Sequence, residues 1–269
     1  MSHFSRIQLD ERNPAAREAL HRSLEANPYA DHQWLWQFFP APKGTPRDFL
    51  FRRIEPQGDR RQPMFYVVSA RPPQSVHDAW NVESRAYEPD LEEGARLAFD
   101  LRVNPVFHEM EERKADEQQA YLARRRSEGL KIRQHPSKRK IYHDVVMHAK
   151  RKLKEKARVG RWTEIGDDSR PPLYELVHEA VRDWFCGADG QAGVASRYGF
   201  SVGTARLRVD AYGQHRVRRG KDQEIRFSTV DLTGELEVAD SSKFRETLLN
   251  GVGRAKAFGC GLMLVRRIG

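Results

Sequence analysis

Apolar and polar residues alternate most cleanly at 96–103, RLAFDLRV. Leu97, Phe99, Leu101 and Val103 fall on one face, Arg96, Asp100 and Arg102 on the other. A period of two marks a half-buried strand. FSRIQL (4–9), DFLFRRIE (48–55) and QPMFYVVSA (62–70) predict three more strands, the last two joined by a polar loop containing PQGDR. Between the first two strands the pair Asn-Pro occurs twice. Asn13 and Asn27 suit helix N-caps, and Pro14 and Pro28 suit the first helical position, where a missing N–H costs nothing. Helices are therefore predicted over 13–26 and from Pro28 onward, the second with apolar residues at Leu35, Phe38 and Phe39. A short helix fits QSVHDAWN (74–81), and SRAYEP (84–89) fits a closing strand. The order is that of a ferredoxin-like βαββαβ unit.

A second unit begins near residue 93. After the strand at 96–103, helical spacing appears at 141–156, with a flexible piece around GLKIRQHPSKRK (129–140). PPLYELVHEAVRDWF (171–185) has apolar residues at Leu173, Leu176, Val177 and Ala180, the spacing of a buried helical face. TARLRVDAY (204–212) and IRFSTVDLTGELEV (225–238) predict two strands around a basic turn, GQHRVRRGKDQ. A slip in apolar parity between Phe227 and Val230 predicts a bulge. A short helix at 241–250 and a strand LMLVRR (262–267) complete a second βαββαβ. The expected fold class is α+β, with tandem ferredoxin-like (RRM-like) domains at 1–92 and 93–269. The second carries a basic insertion at about 106–170. The repeat is one of pattern, not of residue identity.

Charge adds a partner to this picture. The chain of 269 residues carries a net charge of +9. Residues 121–160 alone hold fourteen Lys and Arg against three acids, Glu128, Asp144 and Glu155, an excess larger than that of the whole chain. A solvated face needs no such excess, so nucleic-acid phosphates are the expected contact. No apolar run approaches the roughly 18 residues of a membrane span, and MSHFSRIQLDERN lacks the pattern of a secretory signal. Two cysteines, Cys186 and Cys260, are too few for a disulfide framework. The expected location is the cytoplasm.

Two motifs carry candidate chemistry. GVGRAKAFGCGLMLV (251–265) sets Gly251, Gly253, Gly259 and Gly261 around Arg254 and Lys256. Glycines let a backbone approach a ligand, and N–H groups with two cations form a phosphate-binding surface. A helix cap and tight turn before an edge strand explains the same spacing. It is not a Walker loop, because the Gly-Lys-Ser/Thr ending is missing. In EANPYADHQWLWQFFP (25–40), a helix from Pro28 puts Tyr29 and His32 on one face. There His32 is either a packed, satisfied imidazole or a proton-transfer group. The other histidines do not organise. His143 and His148 are five apart, not the three or four of a helical metal pair, and His135 and His215 fall in basic loops. Neither cysteine has a partner at ligand spacing, and no metal or cofactor is expected.

The glycine-rich stretch, the element NPYADH and the strand RLAFDLRVNP (96–105) together resemble, in order and rough spacing, the CRISPR repeat-processing endoribonucleases, in particular the CasE type of the type I-E Cascade complex. The resemblance implies tandem ferredoxin-like domains and RNA as substrate. It also implies metal-independent cleavage at the 3′ base of a repeat hairpin, retention of the guide RNA, and other Cascade subunits as partners, with a monomer when free. It raises Tyr29 and His32 to catalytic candidates. The interior departs from the family: 106–170 is longer and more basic. Gln33 and Gln37 stand where some members carry basic residues, so no third catalytic residue carries over. Candidate RNA contacts are the four glycines with Arg254 and Lys256, then Arg102, Arg206 and Arg208. The turn arginines Arg216, Arg218 and Arg219 and the basic cluster Lys138, Arg139 and Lys140 complete the set. The rival expectation is a non-catalytic ferredoxin-like RNA-binding subunit, which the fold alone cannot separate from an enzyme.

Overall fold

The computed structural model describes residues 1–10, 13, 28–42, 44–54, 64–75, 78–219 and 223–268. The helix expected at 13–26, its successor's cap Asn27, and the loop PQGDR lie outside the described residues.

Strands β1 (Ser2–Leu9), β2 (Phe49–Ile54), β3 (Met64–Ser69) and β4 (Trp80–Tyr87) form one antiparallel sheet in the order β2-β3-β1-β4. Helix α1 (Pro28–Leu35) precedes β2 and runs into a 3-10 turn at Trp36–Phe38. This is the ferredoxin-like strand order. Its core is aromatic: Leu35, Phe38 and Phe39 from the helical segment pack on Ile7, Phe49, Phe51, Phe65 and Trp80. The helix expected at 74–81 is replaced. Residues 80–87 are strand, with Leu9 opposite Trp80 and Ile7 opposite Val82. Trp80 lies 4.2 Å from Trp34 of α1, ring centre to ring centre, so pairing with β1 and packing under the helix override the local helical spacing.

The second sheet contains β5 (Arg96–Val103), β8 (Leu207–Arg219), β9 (Gln223–Val238) and β10 (Met263–Arg267). Its order is β8-β9-β5-β10, with a short pairing of Phe200–Ser201 on β9. Helices α4 (Leu173–Cys186) and α5 (Ser241–Asn250) fill the two crossover positions, again the ferredoxin-like arrangement. Alternation in β5 reads directly as burial: Leu97, Phe99, Leu101 and Val103 are all buried. In α4 the buried side chains are Leu176, Val181 and Phe185, while Leu173 is half exposed. The bulge lies opposite Val230, but the extra residue belongs to the partner strand. Register slips between Asp210 and Gly213, with Ala211 in the left-handed region at φ 47°. The basic stretch expected as a turn is mostly strand, because β8 runs to Arg219; residues 220–222 lie outside the described set.

Residues 1–104 and 177–269 form one compact unit, and 105–176 another. Within the first, Leu50 and Val68 of the N-terminal sheet pack on Leu262, with Phe4, Tyr66 and Leu264 around them. Arg52 donates from Nη2 to Asp100 Oδ1 at 2.7 Å, with its own side chain only 7% exposed. Asp100→Ala strips that buried guanidinium of its counter-charge. Chemical denaturation should show a loss of about 2 kcal/mol, below the full cost of a buried pair because water reaches Asp100.

The second unit is a hairpin, β6 (Val106–Glu112) with β7 (Lys138–Asp144), and two helices, α2 (Ala115–Ser127) and α3 (Val145–Ala157). The helix expected over 141–156 therefore starts four residues late. Residues 138–144, KRKIYHD, pair as strand with β6, and Asp144 caps α3 by accepting from the Met147 N–H at 2.8 Å. Among the described residues no helix is long and apolar enough to cross a membrane.

Candidate active site

Helix α1 brings the first motif to a defined place. Pro28 opens it as expected, and Tyr29 and His32 are one turn apart within it. Asp31, 6% exposed, accepts from Arg53 Nη1 at 3.2 Å and so fastens the helix to β2. The His32 ring lies 6.2 Å from Trp36, 6.0 Å from Phe49 and 6.5 Å from Phe51, centre to centre. Aromatic rings flank the imidazole and its Nδ1 is buried, while the residue as a whole is intermediate in exposure. The side chain of Tyr29 lies outside the described residues.

The glycine-rich loop meets the same helix. Its 3-10 turn, Lys256–Phe258, packs against α1, and Gly259 backs onto Phe51, where a Cβ would sit 3.4 Å from the ring. His32 and the loop thus share Phe51. Much of the loop's glycine content is explained by its own geometry. Gly261 has φ 93°, and a Cβ there would come within 2.6 Å of the Val252 carbonyl oxygen. Two loop N–H groups are engaged inside the protein: Gly253 donates to the Tyr198 hydroxyl at 2.8 Å, and Gly261 to the Arg102 carbonyl at 2.8 Å. Phe258 stacks on Phe227 at 4.4 Å, and Phe227 on His215 at 5.0 Å, tying the loop to the β8–β9 hairpin. His215, expected in a basic loop, is in strand β8, with Nε2 2.8 Å from the Thr229 hydroxyl; burial and Arg102 lower its pKa.

The cations divide into two groups. Arg254 is exposed. Lys256 is half-buried, donates to the Asn250 carbonyl at 2.6 Å, and has its pKa lowered, first by burial and then by Arg47. The remaining candidate arginines face carboxylates: Arg102 makes a two-pronged pair with Asp231 at 2.7 Å, Arg206 meets Glu235 at 2.8 Å, Arg208 meets Asp210 at 3.0 Å, and Arg216 meets Glu224 at 3.8 Å. In the other unit Arg139 bridges Glu111 at 2.7 Å and Glu117 at 3.0 Å, while Lys138 and Lys140 are exposed. The side chains of Arg218 and Arg219 lie outside the described residues.

One residue of this site escapes sequence reading. Arg47, just before β2, holds its guanidinium 5.9 Å from the Phe49 ring centre, against the ring that His32 also approaches. Its Nη1 is buried without a hydrogen-bond partner among the described residues, and burial lowers its pKa. A buried donor left unpaired costs on the order of 1–3 kcal/mol. Nothing in PRDF (46–49) signals this, because it depends on where the loop 251–265 comes to rest.

Both thiols are inert at neutral pH, burial pushing Cys186 up to about 11 and Cys260 up to about 12. Among the described residues no group of three or more His, Cys, Asp and Glu side chains is placed to hold a metal ion.

A family model described as CRISPR associated protein matches residues 2–267. The CRISPR system Cascade subunit CasE of Escherichia coli (strain K12) is 25% identical over 246 residues, covering 90% of this chain and 93% of that protein. Thermus thermophilus Cse3 bound to an RNA representing a pre-cleavage complex is 20% identical with a TM-score of 0.55, covering 98% of each chain. A structure of CRISPR endoribonuclease Cse3 bound to 19 nt RNA gives 20% identity and 0.54 over 98% of each chain. At such identities the structural likeness speaks for the fold, which is the tandem ferredoxin-like one.

Proposed function

The chain belongs to the CRISPR associated protein family, and on that premise we propose that it is an endoribonuclease that cuts CRISPR precursor RNA at the 3′ base of the repeat stem-loop. The observation that carries the proposal is the position of His32, part-buried on α1, the helix on which the glycine-rich loop packs. The names of the relatives support it: one is a Cascade subunit, another an endoribonuclease bound to RNA.

The chemistry follows from what the side chains can do. The RNA's own 2′-OH attacks the adjacent phosphorus; the 2′-O–P bond forms and the P–O5′ bond breaks. The products are a 2′,3′-cyclic phosphate and a 5′-OH end. The 2′-OH must lose a proton and the leaving O5′ must gain one, and an imidazole that titrates near neutral pH serves either transfer. Tyr29, one turn before His32, orients the imidazole or donates to the scissile phosphate. No step needs a metal ion.

The RNA is held by phosphate contacts, which give affinity without sequence reading. Lys138, Lys140 and Arg254 are exposed and suited to this. Arg102, Arg139, Arg206, Arg208 and Arg216 contribute by exchanging a carboxylate for a phosphate. In this scheme the 1–92 half carries the chemistry and the 93–269 half grips the hairpin. The enzyme keeps the mature guide RNA, works in the cytoplasm and joins other Cascade subunits.

The test is incubation of the protein with an end-labelled repeat hairpin in EDTA. Discrete cleavage to a cyclic-phosphate product is expected. A mobility shift without cleavage would instead favour the non-catalytic RNA-binding subunit.

A further inference from the structure

We propose that Arg47 supplies, together with Lys256, the positive charge that receives the scissile phosphate beside His32, and that it stabilises the extra negative charge of the transition state. This rests on the ribonuclease reading above for the identity of the anion.

Three observations converge on it. The first is charge without a counter-charge. Burial lowers the pKa of both Arg47 and Lys256, that of Lys256 is lowered further by Arg47, and the turn Lys256–Phe258 packs against α1, the helix that carries His32. Asp31 accepts from Arg53 and Asp48 Oδ2 accepts from Arg71 Nε at 2.6 Å, while Asp48 Oδ1 is buried and makes no hydrogen bond, to Arg47 included, among the described residues. Partly desolvated like charges raise the energy of the anion-free protein, and an arriving anion relieves it. The second is geometry. Arg47 Nη1 is a buried donor with no partner among the described residues, so an incoming phosphate oxygen gains a hydrogen bond that displaces nothing inside the protein. The third is position. The guanidinium and the His32 ring lie 5.9 and 6.0 Å from one and the same Phe49 ring centre. Phe49 is thus the ring that both the cation and the proton-moving group approach.

The sequence itself leaves this role to fill. Residues 28–38, PYADHQWLWQF, hold no Lys or Arg, so the helix that carries His32 brings no permanent cation with it. When the 2′-oxygen adds to phosphorus, the non-bridging oxygens gain charge, and a preorganised donor aimed there lowers the barrier. Arginine remains protonated throughout and moves no proton in the step. Its planar fork spans two phosphate oxygens at once, which a lysine does not.

The experiment uses the full-length chain with Arg47→Gln and Arg47→Lys, and melting temperature recorded for each. In single-turnover cleavage of the repeat hairpin, Arg47→Gln should be slower by about 100-fold. Its affinity for uncut hairpin should change by only a few-fold, and Arg47→Lys should recover part of the rate. Binding is then compared for hairpins ending in a 3′-phosphate and in a 3′-OH. The native protein should prefer the phosphate by about tenfold, and Arg47→Gln should erase the preference with its melting temperature kept. Arg47→Gln that cuts at the native rate and keeps the preference overturns the proposal. So does a variant whose melting temperature falls while both ends weaken equally, since that is packing. The two readings fail separately. If native protein cuts, His32→Ala does not, and Arg47→Gln is normal, only Arg47 is wrongly assigned. If native protein never cuts yet shows an Arg47-dependent phosphate preference, the anion site stands and the nuclease reading falls.

Discussion

Removing one oxygen atom from the RNA, the 2′-hydroxyl just upstream of the scissile phosphate, should abolish cleavage and leave binding intact. The nucleophile in the proposed reaction belongs to the substrate. A 2′-deoxy sugar at that position has nothing to attack with, however well His32 is placed. Affinity should change little, because it comes from cations meeting phosphates along the stem, and those are unaltered. The measurement is single-turnover cleavage of a hairpin with one 2′-deoxy substitution, alongside its dissociation constant. Continued cleavage would mean that water attacks instead, and would point to a base or metal site elsewhere in the chain.

His32→Ala should slow cleavage by roughly 100-fold or more, the usual scale for losing a general acid or base. The ring is also a packing element against Trp36, Phe49 and Phe51, so its deletion opens space in an aromatic cluster. His32→Gln keeps more of the volume while removing the titrating group, and should be nearly as slow with a smaller change in melting temperature. If the two variants differ in rate as they differ in stability, His32 is a core residue and its neighbours explain its presence in an apolar run. Tyr29→Phe should cost less than either, since it deletes a hydroxyl from a group that assists. A greater loss from Tyr29→Phe than from His32→Ala would exchange their roles.

Some of this was legible without coordinates. The alternation in 96–103 could be read residue by residue, because a strand buried on one face writes burial into every second position. The start of α1 at Pro28 was legible because a proline fixes its own backbone angle and dispenses with an N–H. The glycine-rich loop announced itself as well, since positive φ leaves few other residues to choose from. The stretch 138–144 was harder. Its alternating lysines and arginines look like any exposed basic run, and strand was chosen there by β6, up to 38 residues earlier. The segment 74–81 was misread as helix for the same kind of reason: Trp80 and Val82 take their conformation from β1 across the sheet.

The sequence by itself determined most strands of the two sheets, the basic excess and the residue types able to move a proton or meet a phosphate. Those depend on short-range periodicity and on side-chain chemistry, which travel with the chain. Only the tertiary structure decided which cations carry a carboxylate partner, as Arg102 does with Asp231 and Arg206 with Glu235. It alone brought Arg47 near enough to Lys256, 209 positions later in the chain, to lower that lysine's pKa. Charge interactions fall off with distance through space and take no account of separation along the backbone, so the identity of an ion's partner is set only when the sheets have formed and packed.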